Sequence, residues 1–131
     1  MNSVLLALHS GWRWVVLLVA VVVIVKMLLG WFGRRSWGRL DDQLSLVFTI
    51  VIDIEVLLGI LTWFFIKAWE MGRIAAFEHP LIMLLAVVVA HVGQWRARRA
   101  ADDTAKYRTS AIFYGVSFVL ILVGVMLVAA A

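Results

Sequence analysis

Four long apolar runs, separated by short polar stretches, set the pattern of this chain, and within the runs hydrophobic residues follow one another without alternation. The runs cover residues 12–33, 44–66, 79–95 and 110–131. Each is close to the roughly 20 residues that a helix needs to cross a hydrocarbon core of about 30 Å. A stretch such as VVLLVAVVVIV cannot place every second side chain in a lumen, so a transmembrane barrel is excluded and four helical spans are expected. Connections of about ten to fifteen residues would make successive spans neighbours. The fold class is therefore all-α: an integral membrane up-and-down four-helix bundle, one domain over residues 1–131.

Composition agrees, with 65% hydrophobic residues, one proline and a mean hydropathy of +1.03. The first run is punctuated by His9, Arg13 and Lys26 and is not followed by a small-residue cleavage pattern, so it reads as a retained helix rather than a secretion signal. A net charge of +4 would suggest nucleic acid in a soluble protein, but here the cations gather in loops. Arg34, Arg35 and Arg39 lie between spans one and two, and Arg96, Arg98, Arg99, Lys106 and Arg108 between spans three and four. Loop two carries only Lys67 and Arg73 against Glu70 and Glu78. The positive-inside rule then puts loops one and three in the cytoplasm and both termini outside, as expected for a multi-pass membrane protein. Trp12, Trp14, Trp63 and Trp69 fit the outer aromatic belt; Trp31, Trp37 and Trp95 fit the inner one. Gly59, Gly115, Gly124 and the pair Ala86/Ala90 are positions where helices could approach closely.

Polar residues inside the runs carry the chemistry. The segment FEHPLIMLLAVVVAHVGQWRARR holds two of the three histidines, His79 and His91, which a rise of about 1.5 Å per residue separates by roughly 18 Å along the axis. His9 and His79 share an outer level. His91, Asp53 and Lys26 share a deeper one, with Glu55 slightly above and Ser117 nearby. An ionisable side chain inside the bilayer costs roughly 3 kcal/mol even on lenient scales, so each should face a partner within the bundle. Lys26, Asp53, Glu55 and His91 form either a structural charge network, with Lys26 paired to Asp53 or snorkelling, or a proton path or part of a cofactor-binding site, with Asp53, Glu55 and His91 as the titrating groups. Asp53 and Glu55, two residues apart, point to different helix faces and do not make a paired acid and base.

At the outer level, His9 and His79 are either interfacial histidines wetted by headgroups or one axial ligand each, from spans one and three, for the iron of a b-type haem. Arg13, one turn after His9, is placed for a haem propionate or serves as a snorkelling anchor. The absence of cysteine removes thiolate and iron–sulfur chemistry. Ser10, Ser110 and Ser117 have no neighbouring base to activate them, so the chain is not expected to be an enzyme on its own.

The segments LHSGWRWVVLL, IEVLLGILTWF, FEHPLIMLLAVVVAHVG and KYRTSAIFYGVSFVLILVG, in that order, resemble a family of small four-span bacterial membrane proteins labelled cytochrome b-like. The specific pieces are His-Ser-x-x-Arg-Trp at residues 9–14 and Glu78-His79. The resemblance implies haem-linked electron transfer with His9 and His79 carried over as ligands. In the family's pattern span two often bears a histidine where this chain has Asp53, which would have made a second haem site with His91; carboxylate is a poor axial ligand for a low-spin haem. The functional expectation is a haem-binding electron carrier or membrane anchor of a redox complex, with quinone as a further cofactor or partner. The alternatives are an accessory subunit packed on a larger respiratory or photosynthetic assembly, or a proton or ion conduit. The lipid bilayer, subunits of a redox complex or further copies of the chain are its expected partners, and nucleic acid is not.

Overall fold

In a computed structural model of the protein, residues 1–130 are described; Ala131, the last residue of the fourth predicted span, lies outside them. Four helices make up the structure: α1 (Asn2–Phe32), α2 (Arg39–Phe65), α3 (His79–Arg98) and α4 (Asp103–Ala130). All four are long and apolar enough to cross a membrane, and no strand occurs among the described residues. A 3-10 turn at Ala68–Glu70 and a π-helical turn at Ile74–Glu78 lead directly into α3.

The helices outrun the predicted spans because helical backbone does not stop where hydropathy does. α1 begins at Asn2 rather than near Trp12: His9, Ser10 and Gly11 are polar or small, yet none breaks a helix, and an interior glycine costs only about 1 kcal/mol. α2 begins at Arg39, where the Asp41 carboxylate accepts the backbone N–H of Gly38 (2.9 Å) and so closes the helix start. α4 begins at Asp103, with the Asp102 carboxylate accepting the N–H of Ala105 (2.8 Å). The α1–α2 and α3–α4 connections shrink to residues 33–38 and 99–102, shorter than the ten to fifteen expected. Between the two short turns Gly72 adopts φ +95°, a conformation that suits glycine.

Packing follows spacings that alternate between three and four. The buried positions are Val16, Ala20, Val23, Met27 and Gly30 on α1. On α3 they are Met83, Ala86, Ala90, Gly93 and Ala97. Tyr107, Ser110, Tyr114, Ser117 and Ile121 continue the pattern on α4. This spacing keeps one seam of each helix on its neighbours at a shallow crossing angle. α1 packs on α2 and α4, α3 packs on α4, and α2 and α3 form the slightest of the four contacts between neighbouring helices. Close approach depends on Gly93, where an added Cβ would stand 2.3 Å from Phe113 Cβ, and on Gly30, where it would enter the Tyr107 ring. Neither was among the small residues singled out from the sequence. Gly115, which was, faces open space.

At the end of the bundle that holds these two short connections, a buried polar clamp ties three elements together. Asp41 accepts Lys26 Nζ (2.6 Å) on one oxygen and Tyr107 OH (2.6 Å) with Gly38 N–H on the other. Tyr107 OH also reaches the Ser36 carbonyl (2.9 Å), and Trp37 packs on the Tyr107 ring. Trp12 turns its indole toward α2: the ring N–H donates to the Val51 carbonyl (2.8 Å), bridging α1 to α2.

Candidate cofactor-binding site

The π-helical turn before α3 sets the position of His79, the first residue of that helix, with Pro80 in the first turn where its missing N–H is harmless. Such turns widen the backbone locally and occur often at functional sites. Opposite it, α1 presents His9 two turns from its start. The two imidazoles meet: their ring centres are 6.3 Å apart and their planes lie at 76°.

Each ring is held through the same nitrogen. His9 Nδ1 donates to Glu55 Oε1 on α2 (3.0 Å), and Glu55 is 3% exposed. His79 Nδ1 lies 2.9 Å from the Gly124 carbonyl on α4; a carbonyl can only accept, so the proton sits on Nδ1. In a neutral ring with a proton on Nδ1, Nε2 keeps its lone pair, the state that binds metals. A carboxylate or carbonyl behind the far nitrogen is the usual support of a metal-ligating histidine, fixing tautomer and ring orientation. Glycine makes room for the His9 ring, and beside His79 it makes room for Met83. An added Cβ at Gly59 would stand 3.0 Å from His9 Cε1; at Gly124 it would meet Met83 Sδ at 2.7 Å and His79 Nδ1 at 3.5 Å.

Space adjoins the pair on two sides. A cavity of about 510 Å³ lies between α2, the turns of loop two and α3, with Val56, Ile60, Trp63, Phe77 and Leu81 among its walls. A smaller one of about 90 Å³ reaches the same histidines from α1 and α4, past Ser10, Arg13, Val16 and Ile121. His9, Glu55 and His79 border both. Arg13 Nε is buried with no hydrogen-bond partner within the described residues, while its guanidinium lies over the Trp14 ring. A buried guanidinium nitrogen without a partner marks a place for an anionic or carbonyl group of a ligand.

The deeper charges do not form the one cluster that depth alone suggested. Lys26 pairs with Asp41, not Asp53, because its long arm runs toward the N-terminal end of α2. Glu55 belongs to the site of the two histidines, against His9. Asp53 pairs with His91 (2.7 Å) on the outside of the bundle, and His91 borders neither cavity. Ser117 donates to the Ala86 carbonyl and takes no part. The physical reason is rotational phase. The buried positions of α2 include Ile52 and Glu55, and one residue further round from Ile52 turns Asp53 outward. Hydropathy alone starts the first helix near Trp12 and so does not bring His9 to Glu55. With α1 starting at Asn2, His9 lies about 10 Å from that end and Glu55 about 15 Å from the matching end of α2.

The donor set suits a ligand that needs two neutral imidazoles and an apolar envelope. Imidazole nitrogen bonds a transition-metal ion at about 2 Å, so rings on opposite sides of one ion have centres roughly 6 Å apart, close to the 6.3 Å seen here. Comparison with known proteins finds no matching family model, no similar curated protein and no similar solved structure.

Proposed function

We propose that this protein is a b-type haem-binding electron carrier of the bacterial cytoplasmic membrane, working alone or as the membrane anchor of a redox complex. The single observation that carries the reading is the His9–His79 pair: two imidazoles from α1 and α3, each secured through Nδ1, 6.3 Å apart beside a 510 Å³ apolar cavity. His9 and His79 would hold the haem iron, and Arg13 would meet a propionate. Haem supplies one-electron chemistry. The chain's own part is to hold both rings in one tautomer, to exclude water with the cavity walls, and to place a carboxylate, Glu55, behind one ligand. A carboxylate there raises the basicity of the imidazole and favours the oxidised metal. The electron partner is then a lipid-soluble carrier of the quinone class or another subunit.

The cationic loops support an orientation with residues 33–38 and 99–102 in the cytoplasm and both termini outside. Reporter fusions at the two termini test it. For the haem, the full-length protein is purified after expression with ample haem, and a reduced-minus-oxidised spectrum is recorded. The expected result is an alpha band in the wild type that is lost in His9→Ala and in His79→Ala and kept in His91→Ala. A colourless wild type, or a band indifferent to His9 and His79, removes this reading.

A further inference from the structure

Asp53 and His91 make the one ion pair that the bundle leaves on the outer surface of its membrane-spanning part, with side chains 47% and 45% exposed. They stand near the middle of α2 and toward the C-terminal end of α3, beside the slightest of the four contacts between neighbouring helices. Their stripes are otherwise aliphatic: Ile50 and Leu57 flank Asp53 a turn to either side, and Leu84 and Val88 precede His91. All four are exposed, as lipid-facing residues should be. A half-exposed carboxylate and imidazole at that depth are not, because hydrocarbon solvates neither. One polar layer in an otherwise apolar helix face is the arrangement that fixes register and orientation in helix association.

We infer that the α2–α3 face is the interface of a parallel homodimer, with a second copy of this chain covering Asp53 and His91. The choice of occupant follows from the pair's own chemistry. His91 Nε2 meets Asp53 Oδ1, which leaves His91 Nδ1 and Asp53 Oδ2 without partners among the described residues. One copy thus presents a donor on α3 and an acceptor on α2, side by side at one depth. Two copies inserted the same way round are related by a two-fold axis along the membrane normal, and that operation sets α3 of each against α2 of the other. Donor then faces acceptor twice. His91 bonds Asp53 of the partner subunit while Asp53 accepts from His91 of the partner subunit. The inference does not depend on what the His9–His79 site binds.

The chain lacks cysteine, so an introduced thiol is the sole one. Full-length Leu57→Cys and Val88→Cys chains, co-expressed so that a mixed pair can form, are treated in native membranes with a copper–phenanthroline oxidant. Val119→Cys, exposed on α4, controls for random collision. Expected is a disulfide-linked species of twice the 14.7 kDa chain mass for the co-expressed pair, in higher yield than for either variant by itself, and little for Val119→Cys. Adding Asp53→Leu with His91→Leu to both chains, which removes both polar groups and strands neither, should lower that yield about ten-fold at unchanged helix content. The inference is overturned by equal cross-linking at Val119→Cys, by no dimer from the co-expressed pair, by an adduct with a different polypeptide, or by a Leu/Leu variant that cross-links as well as its parent.

Discussion

Replacing Asp41 by asparagine should unlatch the end of the bundle that holds the two short connections. The carboxylate is 2% exposed and accepts from Lys26 Nζ at 2.6 Å, Tyr107 OH at 2.6 Å and Gly38 N–H at 2.9 Å. Asparagine keeps the volume but removes the charge and turns one acceptor into a donor, which faces the Tyr107 and Gly38 hydrogens or the ammonium of Lys26 whichever way it is flipped. Removing one partner of a buried ion pair costs about 3–5 kcal/mol. Lys26 is 22% exposed and regains some hydration by snorkelling, so the lower end applies, about 3 kcal/mol. For a chain of this length that lowers the midpoint of thermal unfolding by about 10 °C. The assay is far-ultraviolet circular dichroism of the protein in lipid nanodiscs, with Asp41→Asn, Lys26→Met and the double variant measured together. Because removing both partners leaves no stranded charge, the double variant should recover a large part of the loss. The clamp is refuted if Asp41→Asn lies within about 1 kcal/mol of the wild type, or if Lys26→Met costs as much in the Asp41→Asn background as on its own.

Three further outcomes follow from close contacts. Tyr107→Phe deletes the hydroxyl shared by Asp41 and the Ser36 carbonyl and should destabilise by about 1–3 kcal/mol in the same melts; an unchanged midpoint would show that hydroxyl to be idle. Gly93→Leu sets a Cβ 2.3 Å from Phe113 Cβ on the facing helix and should force α3 and α4 apart, costing about 1–3 kcal/mol or preventing stable expression, whereas Gly115→Leu, in open space, should be tolerated. Gly59→Leu pushes on the His9 ring from 3.0 Å; if the haem reading holds, it should abolish the alpha band while leaving helix content intact, and a full band in that variant would mean that His9 does not depend on this seat.

The number of helices, their order and their suitability for a membrane were legible in the sequence, because hydrocarbon imposes one requirement on every residue of a span and the whole run reports it. Helical rise along the chain was enough to bring His9 and His79 to one level, and their rings do lie 6.3 Å apart. Depth did not fix the partners of the other charges. Lys26, Asp53 and Glu55 were matched by height, yet they separate into Lys26–Asp41, Asp53–His91 and His9–Glu55. A single residue step turns a side chain by about 100°, so an error of one position in helix phase exchanges core for lipid while height changes by only about 1.5 Å. Phase is set by which seams interlock, here through Ala86, Ala90 and Gly93 on α3, and those contacts exist only between helices already packed. The roles of Gly59 and Gly124 belong to the same class. Gly59 acquires its role from the His9 ring and Gly124 from Met83, each on another helix, where tertiary structure alone puts them.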